Sequence, residues 1–174
     1  QAANLERIRG QSDLVYRDGM FFLYCTIEFQ EEPPVAANDF LGIDLGIVNI
    51  AVDSEGEAFS GDAIDINRKR RATARKQHQR TGTKSAKRKL KSMSGRQRRF
   101  QQQTNHRISK RLVAKAKTLG FGIAIEELGG IRDRIEPTVS RRFRRKFGNW
   151  SFHHLRLCIA YKAQRDGVPL VFVD

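Results

Sequence analysis

The sequence predicts an α/β protein, a mixed β-sheet with helices packed on it and a long basic helical insertion. Three observations carry this. Short apolar runs punctuated by Gly, Pro and Asp-Gly occupy both ends of the chain. Two stretches place apolar residues three or four apart, the period of a helix with one buried stripe. Between Asp65 and Glu126 there is no acidic residue, although that interval holds 20 of the 33 Lys and Arg. A chain of 174 residues can bury one respectable core and a small second module.

Taken in order, residues 12 to 29 read as a hairpin. Leu14-Val15-Tyr16 and the run Met20 to Ile27 flank Arg17-Asp18-Gly19, and Asp-Gly is a strong tight-turn signal. Glu31-Glu32-Pro33-Pro34 then breaks regular structure and reads as a linker. A strand from Phe40 through Leu45 follows, with Asp44 among aliphatic neighbours. Gly46 turns the chain into a second strand over Ile47 to Val52, and Asp53-Ser54-Glu55-Gly56 turns it into a third at Ala58-Phe59.

The basic tract is helical in character, with breaks expected near Thr81-Gly82-Thr83 and Ser94-Gly95. Its second half carries the stripe Phe100, Thr104, Ile108, Leu112, Ala116 and Leu119, and Gly120 fits a C-terminal cap. Phe121 to Glu126 reads as a buried strand with Gly129-Gly130 as its exit. Residues 131 to 149 form a basic loop or short helix, and a last helix from about Ser151 buries Phe152, Leu155, Ile159 and Ala163. Gly167-Val168-Pro169 turns into a closing strand over Leu170 to Val173. A start at Gln1 and an end on a strand lead us to expect a piece of a longer protein.

The net charge of +14 favours polyanions, because each neutralised phosphate releases condensed counterions. A membrane surface is the competing partner. It calls for a basic helix with large apolar residues opposite the charges, and this tract lacks that face. No apolar run approaches the roughly 20 residues that span a bilayer, and the N-terminus carries no apolar signal segment. Cys25 and Cys158 form no C-x-x-C pair, so neither a zinc site nor a disulfide framework is expected, and a cytoplasmic setting is the default. His78, His106, His153 and His154 lack the paired spacing of zinc sites and read as solvent-facing or phosphate-contacting.

Two carboxylates are out of place for a structural role. Asp44 lies inside an apolar strand and Glu126 ends another, whereas Asp18, Asp53 and Asp174 sit where turn or capping acids belong. Acids on neighbouring strands repel unless a cation lies between them, and oxygen ligands suit magnesium or manganese. Two such ions serve phosphodiester cleavage. The pattern I-A-I-E-E-L leaves Glu126 and Glu127 both open by period alone. The G-I-D-L-G motif also begins the first phosphate loop of actin-type ATPases, but no second Gly-rich phosphate loop follows here.

These residues resemble a known family. F-L-G-I-D-L-G-I-V-N-I-A-V-D-S-E-G (Phe40 to Gly56) resembles the first RuvC motif of OrfB/TnpB proteins, the transposon-associated RNA-guided endonucleases related to type V CRISPR effectors. T-N-H-R-I-S-K-R-L-V-A-K-A-K (Thr104 to Lys117) followed by I-A-I-E-E-L resembles the second. The stretch from Trp150 to Asp174 resembles the helix and strand that precede a zinc ribbon. The resemblance implies an RNase H-like (RuvC) fold over residues 39–174, with a basic helical segment at 66–119. Residues 1–38 would be the final hairpin of a wedge-type β-barrel that grips RNA.

By resemblance, Asp44 and Glu126 are the first two catalytic carboxylates and hold Mg2+ or Mn2+, and the partners are a guide RNA and target DNA. The implied holders of nucleic acid are Arg68, Lys69, Arg70, Arg71, Arg75, Lys76, Lys87, Arg88, Arg98, Arg99 and Arg107 in the tract, and Arg141, Arg142, Arg144 and Arg145 beyond it. The four-cysteine ribbon and the third catalytic Asp would follow Asp174, so zinc is expected in the longer protein and not in this chain. The chain itself is then expected to bind nucleic acid, near the nucleoid of a prokaryotic cytoplasm, and to cleave weakly or not at all. The rival reading is a non-catalytic nucleic-acid-binding protein or regulator of the same descent.

Overall fold

In the computed structural model, the described residues are 6–17, 19–46, 48–127 and 152–173. The order of elements is β1 (Ile8–Arg17), β2 (Met20–Ile27), β3 (Phe40–Asp44), β4 (Asn49–Asp53), β5 (Ala58–Ser60), α1 (Asp62–Thr81), α2 (Lys84–Leu119), β6 (Gly122–Glu126), α3 (Phe152–Arg165) and β7 (Leu170–Val173).

β1 and β2 pair antiparallel as an isolated two-stranded sheet, with Tyr16 opposite Phe21 and Leu14 opposite Leu23. β1 starts earlier than the hydrophobic pattern suggests. Gly10, at φ 67°, accompanies a register shift between Arg9 and Ser12, which carries the ladder past the polar Gly-Gln-Ser segment. Large apolar side chains are exposed on both faces of this hairpin, Tyr16, Phe21 and Leu23 on one and Met20, Phe22 and Tyr24 on the other.

The second sheet has the order β5-β4-β3-β6-β7. β3, β4 and β5 run antiparallel as a meander, while β6 and β7 are parallel to β3. This is the mixed sheet with an antiparallel start and parallel additions that the sequence predicts. Alternation decides its two faces. Leu41, Ile43, Ile123 and Ile125 point into the core, where they meet Ile108, Leu112, Val113 and Ala116 of α2 and Leu155, Ile159 and Ala163 of α3. The intervening Gly42, Asp44, Ala124 and Glu126 lie on the other face, which none of the described helices covers.

The loop at Gly82-Thr83 joins α1 to α2 as a helical hairpin. Gly82 takes the left-handed conformation that ends α1, and the Thr83 hydroxyl accepts the Ala86 N–H to start α2. The break expected at Ser94-Gly95 does not occur, and α2 runs for 36 residues, about 54 Å. One helical glycine costs only about 1 kcal/mol relative to Ala. The flanking Lys, Arg, Gln and Met residues favour helix, and the Arg99 guanidinium occupies the space a Gly95 side chain would fill. Of the predicted stripe, Thr104, Ile108, Leu112 and Ala116 are buried, whereas Leu119 lies at the exposed end next to the Gly120 cap. All four residues predicted to face inward from α3 are buried.

Residues 28–39 contain no helix or strand, yet the linker is not loose. Its backbone bonds to the end of α3, through Glu32 N–H to the Arg165 carbonyl and Val35 N–H to the Gly167 carbonyl, and Lys117 of α2 pairs with Glu32.

Candidate metal-binding carboxylates and basic helices

The parallel pairing of β3 with β6 sets Phe40 beside Gly122, Leu41 beside Ile123, Gly42 beside Ala124 and Ile43 beside Ile125. One further step puts Asp44 beside Glu126. Neighbouring strands lie about 4.8 Å apart, and residues in register point to the same face. Both acids are exposed, at the C-terminal ends of their strands, and both line an open depression of about 470 Å³ on the face that no described helix covers. Its other described lining residues are small, apolar or acidic, and no Lys or Arg is among them. Gly46, just past Asp44, could not be another residue without movement, because a Cβ there would come within 2.9 Å of the Asn49 carbonyl oxygen.

Two further acids lie close by and have other partners. Asp53, only 4% exposed, accepts from Lys115 Nζ at 2.5 Å and from the Glu57 N–H at 2.9 Å. Burial alone would raise its carboxyl, but the Lys115 hydrogen bond and charge, with the backbone N–H groups, outweigh that and hold it below its ordinary value. Asp53 is therefore the turn residue the sequence suggests and also a pin between the meander and α2. Glu127 turns toward α3, where Arg156 Nη1 and Nη2 donate to its two oxygens at 2.6 and 2.7 Å. Glu126 thus lines the depression with Asp44, whereas Glu127 is bound to α3.

The basic residues divide into two groups. Toward the C-terminal half of α2 they pair with acids, Arg111 with Glu57, Lys115 with Asp53 and Lys117 with Glu32. Lys69, Arg70, Arg75 and Lys76 on α1, and Lys87, Arg88, Arg98, Arg99 and Arg107 on α2, are exposed. Arg68 and Arg71 are half-buried; Arg68 lies 3.3 Å from Asp65, and Arg71 donates to the Asn67 amide oxygen. Arg141, Arg142, Arg144 and Arg145 lie outside the described residues. No helix among the described residues is long and apolar enough to cross a membrane.

The OrfB_IS605 family, described as "Probable transposase", matches residues 24–128. The chain belongs to this family. Similar proteins include a TnpB-like protein of Methanocaldococcus jannaschii, 34% identical over 49% of this chain and 30% of the relative. A CRISPR-associated endodeoxyribonuclease Cas12f1 of Syntrophomonas palmitatica is 27% identical over 87% of this chain and 33% of the relative. The matches thus span about a third of these relatives' length. Among solved structures, a cryo-EM structure of a Cas12f1–sgRNA–target DNA complex covers 92% of this chain and 41% of that chain, with a TM-score of 0.63 and 14% identity. At that identity the likeness is one of fold. As an OrfB_IS605 protein related to TnpB-like and Cas12f1 proteins, the chain has the family relationship that its three motifs suggest.

One cluster in this OrfB_IS605 chain escaped the sequence. His106 on α2 and His154 and Cys158 on α3 bring potential ligand atoms within 4.8 Å of one another. The histidines read from sequence as solvent-facing or phosphate-contacting; His106 and His153 are exposed, whereas His78 and His154 are half-buried. The single available signal was the i, i+4 spacing of His154 and Cys158, and nothing in the sequence places His106 beside them. Burial pushes the Cys158 thiol up, against the opposing charge of Lys162.

Proposed function

We propose that this chain is the core of a divalent-metal-dependent DNA nuclease that works with a guide RNA, and that Asp44 and Glu126 are its metal-holding carboxylates. One observation carries the reading. In a chain of net charge +14, two acids stand in register on a sheet face that no described helix covers, in a depression with no Lys or Arg among its described lining residues. The donor set fits magnesium or manganese, because among the described residues it is made of exposed carboxylate oxygens without imidazole or thiolate. Divalent ions held there supply the activation of water and stabilisation of the leaving oxygen that two-metal phosphodiester hydrolysis requires. Placement outside the carboxyl ends of β3 and β6 agrees with where open α/β sheets bind ligands.

The RNase H-like (RuvC) assignment of residues 39–174 rests on the strand order, the change from antiparallel to parallel pairing, and the acid on the central strand. The exposed cations of α1 and α2 hold phosphate backbones, a role without sequence preference. Base pairing to the guide would then read the target. The apolar exposure of both hairpin faces supports residues 1–38 as the end of a wedge-type barrel. The relatives named as endodeoxyribonucleases and the complex with sgRNA and target DNA point to the same substrate class.

The test is manganese-dependent cleavage of labelled single-stranded DNA by a protein that carries this chain, with Asp44→Ala alongside. Cleavage that disappears in the variant is the expected result. Tight, salt-sensitive binding with no cleavage by either protein overturns the catalytic assignment in favour of a binding protein.

A further inference from the structure

The helical layer holds a second group of ligand atoms, chemically unlike the carboxylates. Cys158 Sγ lies 3.6 Å from His106 Nδ1 and 3.7 Å from His154 Nδ1. A tetrahedral zinc ion with Zn–S of about 2.3 Å and Zn–N of about 2.0–2.1 Å sets an S···N edge of about 3.5–3.6 Å. The edge from Sγ to His106 Nδ1 stands at that length, and the edge from Sγ to His154 Nε2, at 3.9 Å, is longer by about 0.3 Å. His154 and Cys158 are one turn apart on α3, the spacing that puts two side chains on one helix face, and His106 reaches them from α2.

The surroundings hold the imidazole in place. Lys162, 6% exposed, donates from Nζ to the His106 carbonyl and to Ser109 Oγ, each at 2.6 Å, and both acceptors are neutral. The buried Asn105 amide lies 3.2 Å from His154 Nδ1. Amide oxygen and nitrogen are interchangeable by a half-turn. Turned, the oxygen accepts from Nδ1–H and leaves Nε2, 3.9 Å from Sγ, as the ligand, the outer-shell arrangement typical of metal-bound histidine. Tyr161 Oη, 3.3 Å from His106 Nδ1, marks the exposed side where a water or the phenol completes the set.

We propose that His106, His154 and Cys158 form a zinc site that clamps α2 to α3. It is separate from the carboxylate site in ligand chemistry and in layer, since imidazole and thiolate select zinc and carboxylates select magnesium or manganese. The alternative is a hydrogen-bonded polar cluster that holds no metal.

The experiment is a titration of the metal-free chain with Co2+, followed by displacement with Zn2+. One equivalent is expected to give thiolate-to-cobalt charge transfer in the near ultraviolet with tetrahedral visible bands, which Zn2+ removes. Cys158→Ser is expected to abolish the charge transfer, while Cys25→Ser keeps it. His106→Gln, at an exposed position, is expected to leave the metal-free melting midpoint unchanged. It should weaken zinc binding by more than about 100-fold, the upper end of the loss from removing a mere outer-shell partner. Zinc should raise the midpoint of the parent and not of His106→Gln. Absence of charge transfer, its persistence in Cys158→Ser, or an equal zinc response in His106→Gln overturns the proposal.

Discussion

Neutralising Glu126 and neutralising Glu127 are expected to have opposite signatures. Glu127 is held by two hydrogen bonds from Arg156, at 2.6 and 2.7 Å, with the carboxylate side chain 40% and the arginine 17% exposed. Exposed ion pairs contribute about 0.2–1 kcal/mol, and breaking a buried one costs about 3–5 kcal/mol. A half-exposed bidentate pair lies between, so Glu127→Gln should cost about 1–2 kcal/mol. For a chain of this size that lowers the melting midpoint by about 2–8 °C. The metal response should be untouched, because Glu127 faces α3. Glu126 is exposed at the end of β6, so Glu126→Gln should change stability by less than about 0.5 kcal/mol and remove the magnesium-dependent rise in midpoint. Thermal unfolding of both variants, with and without magnesium, reads both quantities. A Glu127→Gln variant that loses the magnesium response at full stability, or a Glu126→Gln variant that keeps it, would refute the facing of these two acids.

Asp53→Asn should be destabilising by about 2–3 kcal/mol near neutral pH, since it leaves Lys115 without its buried partner. The Asp53 carboxyl is held below its ordinary value, so its contribution is present above about pH 4 and is lost as pH falls through the lowered value. Urea midpoints of parent and variant should therefore converge in acid. Leu112→Ala and Ile159→Ala, both fully buried between sheet and helices, should each cost about 2–5 kcal/mol by chemical denaturation. Arg75→Gln, Lys76→Gln, Lys87→Gln and Arg88→Gln together should lower the slope of log affinity against log salt for single-stranded DNA by up to about 3, measured by fluorescence anisotropy.

The sequence made legible whatever depends on period and punctuation. Gly19 marks the hairpin turn between Arg17 and Met20, Gly82 and Gly120 mark helix ends, and the stripe from Thr104 to Ala116 lies against the sheet. Asp44 stood out because an acid in an aliphatic strand needs a reason. What stayed hidden depends on which residues meet across the fold. Gly95 signals a break in composition, but a long helix of good formers carries one glycine through, with Arg99 over it. Glu126 and Glu127 separate only when β6 is registered against β3 and Arg156 arrives from α3. Asp53 looks like any turn acid until Lys115 comes from a distant helix, and His106 gains its neighbours in the same way.

The most direct test of the central claim is manganese binding to this chain, followed by the loss of the free-ion paramagnetic resonance signal. The parent and Glu127→Gln are expected to bind, whereas Asp44→Asn and Glu126→Gln are expected to bind far more weakly. Equal binding by the parent and Asp44→Asn would show that the two acids on the open face of the sheet do not form the metal site, and would contradict the account.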